Sequence, residues 1–302
     1  MQMRTGYVLG VLFAILCGVF INAGLIFQKK VINGISKESR DRRFMRTLMR
    51  RPLWVFGFIL EYFGGAVTFI LAQSYIGPTL VPGLMATGYV VLVIGSIRIL
   101  KERLNRMEYV GILLLFLGIS LLGFSALEIQ SETVREALAS KGIVSRIIIF
   151  SGAMCLLWGL THFGAMKNRK RRGIIMGFSN GFPFGLSNFW ISPLMALIGA
   201  VLGGNGTSVQ IKMFIAACIL LVVLNLLAIR QTQEAFKFAD AHNVIPMQQI
   251  PVQIAPILYY FTVFSLDPPS KGAVVYITGG VLLIIVSGFL LCRRQSELEK
   301  IQ

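Results

Sequence analysis

The chain has 302 residues, of which 55% are hydrophobic and only 14% charged, and its mean hydropathy is +0.74. A soluble globular domain usually carries about 25% charged residues, so we expect much of this surface to face lipid. A net charge of +16 would suggest nucleic acid binding in a soluble protein. That partner is excluded here, because the basic residues lie in short segments between apolar stretches.

Disulfide frameworks, zinc sites and nucleotide-driven functions are not indicated. The four cysteines, Cys17, Cys155, Cys218 and Cys292, form no Cys-x-x-Cys pair, and two histidines are too few for a His-rich site. The sequence contains neither a P-loop nor an HExxH motif. We therefore expect a protein that is not an enzyme and that has no resident cofactor.

Nine apolar stretches are long enough to cross the ~30 Å hydrocarbon layer as helices. These predicted spans, numbered one to nine, are residues 6–27, 53–75, 79–99, 108–126, 145–166, 173–200, 210–231, 245–265 and 272–292. Span one is too long, and lacks the preceding basic flank, for a cleavable signal peptide. Segment 127–144 is amphiphilic. Thr133 and Glu136 resemble a capping box there and Gly142 a stop signal, which predicts a short surface helix.

The distribution of Lys and Arg predicts how the chain is oriented in the membrane. Segments 28–52, 98–107, 167–172 and 230–244, together with the C-terminal tail, hold 23 basic residues, whereas the alternate loops hold six. The basic segments should therefore be cytoplasmic, with the N-terminus outside and the C-terminus inside. This arrangement requires an odd number of spans, and we expect a multi-pass protein of the cell membrane.

A pattern of small residues repeats between the two parts of the chain. Small residues recur every four positions in spans one and six, at Gly6, Gly10, Ala14 and Gly18 and at Gly173, Gly177, Gly181 and Gly185. Such ridges let another backbone approach closely in lipid. Pro82 precedes Pro246 by 164 residues, and the Gly111 and Gly118 pair of span four recurs 161 residues later in span nine.

The repeat predicts an all-α integral membrane fold with nine transmembrane helices. Spans one to four and six to nine would form two inverted four-helix repeats, and span five would link them. The corresponding domain limits are 1–126, 127–172 and 173–302. Inverted repeats are the architecture of transporters that work by alternating access, with a substrate site near the midplane.

Glu61 is the one carboxylate deep within a predicted span. A charge at that depth costs at least about 3 kcal/mol unless it is paired, protonated or hydrated. The functional interpretation is cation coordination or proton coupling. The alternative is a structural carboxyl group whose hydrogen bonds are satisfied.

Spans six and eight supply further polar residues for a pathway. Asn180, Ser187 and Asn188 lie on one side of span six, and Gln249 and Gln253 share a face of span eight. Pro183 of span six and Pro246, Pro251 and Pro256 of span eight should break their helices and free carbonyl groups. Amide and carbonyl oxygens suit a hard cation such as Mg²⁺. They suit a polar organic solute equally well. If these residues have no role in transport, their side chains would instead form hydrogen bonds between helices.

Four more residues are candidates for the pathway. Glu234 and Asp240, near the end of span seven, would attract cations in an inner vestibule, or would belong to a self-neutralising helix end. His162 of span five and Tyr89 of span three are the others. Packing within the protein would explain His162 as well as a role in the pathway does. An aromatic belt at the membrane interface would likewise explain Tyr89.

The segments GVFINAGLIFQKK, GPTLVPGLMATGYVV and KERLNRMEYVGILLLFLGISLLG resemble the first half of the drug/metabolite transporter (DMT) superfamily, including its EamA-like members. Within it, the Gln-Lys-Lys that ends span one and the segment QEAFKFADAHNVIPMQQIP are most similar to the NIPA-type magnesium transporters. The resemblance implies a secondary transporter of divalent cations, chiefly Mg²⁺, as the transported ion. Glu61 is then the candidate metal-binding carboxylate.

Two other functions stay open from the residues alone. One is a proton-coupled exporter of small metabolites or drugs, and the other is a non-transporting membrane scaffold. The expected partners are the lipid bilayer, anionic lipid headgroups at segment 28–52, and a small ion or solute. A homodimer is compatible with the sequence, which does not fix an oligomeric state.

Overall fold

The computed structural model describes residues 2–35, 44–76, 81–127, 129, 131–140, 142–168 and 171–298. Within these ranges the chain is almost entirely helical and contains no strand. The helices in chain order are α1 (Gln2–Asn33), α2 (Phe44–Met49), α3 (Pro52–Ile59), α4 (Gly65–Ile76), α5 (Val81–Met85), α6 (Gly88–Arg98), α7 (Arg106–Phe124), α8 (Ser131–Ala139), α9 (Ile143–Lys167), α10 (Arg172–Leu202), α11 (Ser208–Ala235), α12 (Ala241–Thr262) and α13 (Lys271–Leu298). A π-helical turn, Leu60–Gly64, joins α3 to α4. Helices α1–α7 are called the first half below, and α10–α13 the second half.

Seven helical segments of the described chain are long and apolar enough to cross a membrane. They are Gly6–Asn33, Pro52–Ile76, Arg106–Phe124, Ile143–Lys167, Arg172–Leu202, Ser208–Ala235 and Lys271–Leu291. They match spans one, two, four to seven and nine. Span three is shorter than predicted, because its apolar helix covers Gly83–Arg98 and contains a turn at Ala86 and Thr87. Span eight corresponds to α12, which is not among the seven.

The prolines of the second half do not break their helices, so the predicted breaks are wrong. Pro183 and Pro193 lie inside α10, and Pro246, Pro251 and Pro256 lie inside α12, yet both helices continue through them. Proline is tolerated in membrane helices where neighbouring groups satisfy the freed backbone carbonyls. The irregular backbone occurs instead in span two, at the π-helical turn.

The short helix predicted in segment 127–144 is present as α8, but its predicted boundaries differ. Helix α8 begins at Ser131, so Thr133 and Glu136 lie inside it rather than at its start. Gly142 directly precedes α9 and has a φ of 95°, a left-handed conformation that glycine adopts without strain. Gly142 therefore marks the beginning of α9 and not the end of α8.

Glycines let the first helix of each half approach its neighbours closely. A Cβ on Gly18 of α1 would lie 2.1 Å from the carbonyl oxygen of Met85, and one on Gly88 of α6 would lie 2.2 Å from that of Gly18. In the second half, a Cβ on Gly181 of α10 would lie 2.3 Å from the carbonyl oxygen of Gln248 in α12. In both halves the first helix thus contacts the backbone of the helix that corresponds to the third span of that half.

The last helices of the two halves, α7 and α13, pack against each other. A Cβ on Gly118 would lie 2.9 Å from the carbonyl oxygen of Gly280, and one on Gly280 would lie 2.9 Å from that of Gly118. A Cβ on Gly111 would lie 3.0 Å from the Leu291 side chain. This contact joins the halves on one side.

Candidate functional site

A cavity of about 310 Å³ lies between the first and the second half. The first half lines it through α1, the π-helical turn and α4 to α6, and the second half lines it through α10 and α12. The lining residues are Cys17, Ile21, Asn22, Leu25, Glu61, Tyr62, Gly65, Ala66, Phe69, Met85, Tyr89, Phe184, Asn188, Ile245, Gln248, Gln249 and Val252. The cavity is mostly apolar, with a few polar groups that come from both halves.

Glu61 lies in the π-helical turn and lines this cavity. Single π-helical turns are rare and occur frequently at functional sites. The turn packs closely on α1, because a Cβ on Gly24 of α1 would lie 2.9 Å from the backbone nitrogen of Glu61. This close approach lets Gln28 Nε2 donate a hydrogen bond of 2.5 Å to Glu61 Oε2.

Asn22 of α1 also lines the cavity and has a buried oxygen that lacks a hydrogen bond in the described part of the chain. Its Nδ2 donates to the carbonyl oxygen of Gly18 at 2.9 Å, whereas its buried Oδ1 has no hydrogen-bond partner in the described part of the chain. A buried oxygen without a donor is costly, and a cation would satisfy it. The sequence reasoning did not select Asn22, although a lone amide within apolar span one was a usable signal.

Four of the candidate residues meet at the cavity. Glu61, Tyr89, Asn188 and Gln249 all line it. Gln253 is not a lining residue, but its Nε2 lies one helical turn away and donates to Gln249 Oε1 at 3.3 Å. The structure thus brings candidate residues from both halves together at one cavity, and their role in transport stays a prediction.

A comparison with protein-family models identifies the family of the chain. A family model described as Magnesium transporter NIPA matches residues 5–297. The chain belongs to the NIPA magnesium transporter family. The match extends over both halves, and it confirms the resemblance to the DMT superfamily. Neither the curated proteins nor the solved structures contained a match.

Membership in the NIPA family makes the chain a multi-pass membrane protein of a transporter family and not of an enzyme class. The bilayer and a small ion are therefore its expected partners, as the sequence indicated. The NIPA match does not distinguish one lining residue from another. The roles of individual residues depend on the contacts described here.

Two of the candidate residues instead take part in packing within the second half of this NIPA protein. Asn180 Nδ2 donates to the Thr232 hydroxyl and, at 3.2 Å, to Gln248 Oε1. The Ser187 hydroxyl accepts a hydrogen bond of 2.6 Å from Asn225 Nδ2. Asn180 still touches the site indirectly, because its partner Gln248 lines the cavity.

The remaining candidates lie away from the lining residues. His162 Nδ1 is 3.2 Å from Gln231 Nε2. Glu234 forms a 3.1 Å ion pair with Arg230, whose side chain is 68% exposed. Asp240 is exposed and precedes the first residue of α12. The inner vestibule of Glu234 and Asp240 stays a prediction.

A buried group of charged residues joins the halves of this NIPA protein outside the cavity. His242 Nδ1 lies 2.7 Å from Glu102 Oε2, and its Nε2 lies 3.4 Å from Glu108 Oε1. Nearby, the Lys29 ammonium group donates to the carbonyl oxygens of Phe236 at 2.5 Å and Ala239 at 2.7 Å. Sequence reasoning missed this group, because its members are far apart in the chain.

The charges of this group hold His242 and Glu102 ionised. His242 lies in the first turn of α12, ahead of predicted span 245–265. Burial lowers the pKa of its imidazole, but hydrogen bonds and charges from Glu102 and Glu108 outweigh burial and raise that pKa to about 9. Burial raises the pKa of Glu102, but the His242 hydrogen bond and charge outweigh it and bring that pKa below its ordinary value.

Proposed function

We propose that this chain carries Mg²⁺ across the membrane by alternating access, with the ion bound in the cavity between the halves. One observation carries the proposal. Glu61 and Asn22, whose buried Oδ1 has no hydrogen-bond partner among the described residues, line one cavity whose walls come from both halves. A site at the boundary between two related halves is what alternating access requires.

The shape and chemistry of the cavity favour an ion that keeps much of its water shell. Mg²⁺ gives up water reluctantly and is usually held by one or two carboxylates. Six waters at about 30 Å³ each occupy about 180 Å³, less than the 310 Å³ of the cavity. No group of three or more His, Cys, Asp or Glu residues that could hold a metal occurs in the described ranges. The amides of Asn188 and Gln249 would therefore bind the ion through its waters.

We also propose the nine-span, inverted-repeat arrangement with a cytoplasmic C-terminus. Its support is the matching glycine contacts of α1 and α10 and the meeting of basic segments at one end of the bundle. Arg172 lies 4.4 Å from the ring centre of Phe238, and Lys237 lies 3.7 Å from that of Phe44. These contacts join segments 28–52, 167–172 and 230–244, which should share a membrane face. Lys37, Arg40, Arg42, Arg43, Arg169, Lys170 and Lys300 lie outside the described residues.

The test is Mg²⁺ uptake into proteoliposomes that contain the purified protein and an internal Mg²⁺ indicator. Glu61→Gln should reduce uptake at least about tenfold, the equivalent of about 1.4 kcal/mol. Asn22→Leu should weaken it by a smaller factor. Glu132→Gln, which removes an exposed carboxylate of α8, is the matched control and should leave uptake unchanged. Equal uptake by wild type and Glu61→Gln would contradict the assigned site.

A second measurement tests whether the ion stays hydrated. Hexaamminecobalt(III) has nearly the size and octahedral shape of hydrated Mg²⁺, but it does not exchange its ligands. Binding through waters predicts that this complex inhibits uptake competitively in the wild type. Inhibition only by ions that lose water readily would show that Mg²⁺ is bound directly by protein oxygens.

The cavity walls also favour a second candidate, the proton-coupled export of an organic cation. Tyr62, Phe69, Tyr89 and Phe184 line the cavity, and aromatic faces attract organic cations. In that case Glu61 would bind the organic cation and a proton alternately. Flux of a lipophilic cation that depends on a pH gradient and not on Mg²⁺ would favour this candidate over Mg²⁺ transport.

A further inference from the structure

Charged side chains join the two halves at the end of the bundle where segments 28–52, 98–107 and 230–244 meet. Lys29 of the first segment donates to two carbonyl oxygens of the third, at 2.5 Å and 2.7 Å. Glu102 of the second segment pairs with His242 of the third at 2.7 Å, and Glu108 of α7 lies 3.4 Å from the same imidazole. All four side chains are buried. Lys29, Glu102, Glu108 and His242 are called the charged cluster below.

The charged cluster lies one helical turn beyond the cavity on two of the helices that line it. On α1, Leu25 is the lining residue nearest to Lys29 and lies four positions before it. On α12, Ile245 is the lining residue nearest to His242 and lies three positions after it. A helical turn contains about 3.6 residues. An ion that moved from the cavity along α1 and α12 toward this end would therefore meet the charged cluster first.

The contact between α7 and α13 also joins the halves but has a different character. Its backbones meet at Gly118 and Gly280, and the rings of Phe124 and Tyr276 are 6.5 Å apart. Such a contact is held by close packing, and parting it would gain no hydration. Charged side chains become hydrated when they part, which offsets much of the lost attraction. The charged cluster can therefore open at a smaller cost in free energy than the contact between α7 and α13.

We propose that the charged cluster is a gate, which closes the cavity at this end and parts in each transport cycle while α7 and α13 stay together. The inference rests on the proposed alternating access, which requires the cavity to open toward each side in turn. A buried ion pair is weak evidence for stability, and a role in switching between states is among its best-attested uses. The structure, with the contacts of Lys29 and Glu102 in place, is then the state that is closed at this end.

The access of a water-soluble thiol reagent to the cavity tests the gate without a transport measurement. Ala66→Cys, in a protein whose native cysteines are replaced by alanine, places a thiol on an exposed lining residue of α4. A charged methanethiosulfonate, which does not cross the bilayer, is added to either side of membrane vesicles. In a separate variant, Lys30→Cys labels an exposed position next to Lys29. The side from which Lys30→Cys reacts is the side of the charged cluster, whatever the orientation of the chain.

The gate predicts how fast Ala66→Cys reacts from the Lys30 side. With the charged cluster intact, labelling from this side should be slow. Lys29→Met should speed it up at least about tenfold, because the hydrogen bonds of a charged group contribute at least that factor to the equilibrium between the closed and open states. Glu102→Gln should act in the same direction but less, because its amide keeps part of the hydrogen bonding. Labelling from the opposite side should not rise in either variant, because opening the gate closes that side.

Two control variants lie at the same end of the bundle. Lys30→Met removes the same charge as Lys29→Met from a side chain that is exposed. Arg230→Gln breaks the ion pair with Glu234, which lies within α11 and does not join the halves. Both controls should keep the labelling rate of the Ala66→Cys protein from either side. If Lys29→Met fails to fold, Glu102→Gln and these controls still decide the question.

The outcomes separate the gate from the proposed Mg²⁺ transport. Labelling from the Lys30 side that is already fast with the cluster intact, or that stays slow in both Lys29→Met and Glu102→Gln, overturns the gate. An equal rise from both sides also overturns it, because it indicates a loosened protein. Faster labelling from the Lys30 side alone, in a protein that carries no Mg²⁺, supports the gate and contradicts Mg²⁺ transport. Mg²⁺ uptake by the wild type without the expected change in labelling overturns the gate alone.

Discussion

Glu102 and His242 form a buried ion pair across the two halves, with 2.7 Å between Oε2 and Nδ1. Glu102 Oε1 also accepts a hydrogen bond of 3.0 Å from the backbone N–H of Ala241, at the N-terminus of α12. Asp240, in the N-cap position, makes no side-chain cap bond of its own. Glu102 therefore caps α12 from the other half, where a negative charge is also favoured by the helix dipole. This gives the Lys-Glu-Arg-Leu segment a structural role.

Replacing His242 should strongly destabilise the protein. His242→Phe would leave Glu102 and Glu108 as buried carboxylates without their cation, and removing one partner of a buried pair typically costs about 3–5 kcal/mol. Thermal unfolding in detergent measures the change. Adding Glu102→Gln and Glu108→Gln to the variant should restore part of the loss, because both buried charges disappear.

The ion pair of Arg230 and Glu234 provides the comparison for His242. Its side chains are 68% and 29% exposed, and such surface pairs contribute about 0–1 kcal/mol. Glu234→Gln should therefore leave the unfolding temperature almost unchanged. A loss of stability as large as that of His242→Phe would mean that the exposure of an ion pair does not indicate how much it stabilises this protein.

The buried ion pair also predicts how stability depends on pH. The pKa of His242 is raised from 6.5 to about 9. The contribution of its charge to the free energy of unfolding is therefore complete below pH 6.5 and is lost as pH rises through about 9. The pKa of Glu102 lies below 4.5, so its contribution is present above pH 4.5 and is lost as pH falls through its folded value. Lys29 and Asp240 lie close enough to modulate these limits.

Thermal unfolding from pH 4 to pH 10 tests this expectation. The wild type should be most stable between about pH 4.5 and 6.5, the ordinary pKa values of a glutamate and a histidine. It should lose stability at more acidic and more alkaline pH. Glu102→Gln combined with His242→Gln should give a flatter profile. If that variant loses as much stability at alkaline pH as the wild type, a group other than His242 causes the loss.

The two lysines that end span one should respond differently to substitution. The buried Lys29 donates to two carbonyl oxygens of the segment between α11 and α12, whereas Lys30 is exposed. Each hydrogen bond to a charged group contributes about 1.5–3 kcal/mol, so Lys29→Met should lower the unfolding temperature clearly. Lys30→Met has the same change in charge and should have little effect. Equal effects would indicate that only net charge matters.

The crossing of α1 and α6 should not tolerate a methyl group. A Cβ on Gly18 would lie 2.1 Å from the carbonyl oxygen of Met85, so Gly18→Ala forces the backbones apart at a cost of about 1–3 kcal/mol. Gly159 of α9 has no atom within 4 Å of its Cβ position. Gly159→Ala should leave the unfolding temperature unchanged or raise it, because alanine favours helix. Similar losses in both variants would mean that the crossing is not tight.

Much of the helical architecture could be predicted from the sequence, because a run of about 20 apolar residues has few alternatives in lipid. The backbone irregularities could not be predicted in this way. Span three contains a turn near Gly88, where α6 meets Gly18 of α1, a contact between distant residues. Proline wrongly predicted breaks in α10 and α12, and no proline marks the π-helical turn at Glu61.

The candidate site was predictable only in part. Glu61, Asn188 and Gln249 could be found because polar residues are conspicuous in apolar spans. Their partners could not, since hydrogen-bond pairs such as Gln28 with Gln233 join residues 205 positions apart. A polar residue can be recognised from composition, but whether it faces a cavity or another side chain depends on the packing of the helices.

Glu61 is the one carboxylate among the described residues that line the cavity, and this has a consequence for the energetics of Mg²⁺ movement. Glu61 balances only one of the two positive charges of Mg²⁺, so under the proposed function the loaded cavity carries one net positive charge. The empty cavity then returns with the negative charge of Glu61, so a full cycle carries two elementary charges, each worth about 2.3 kcal/mol in a membrane voltage of 100 mV. A voltage that is negative inside would then draw Mg²⁺ inward, and each transport cycle would produce a measurable current.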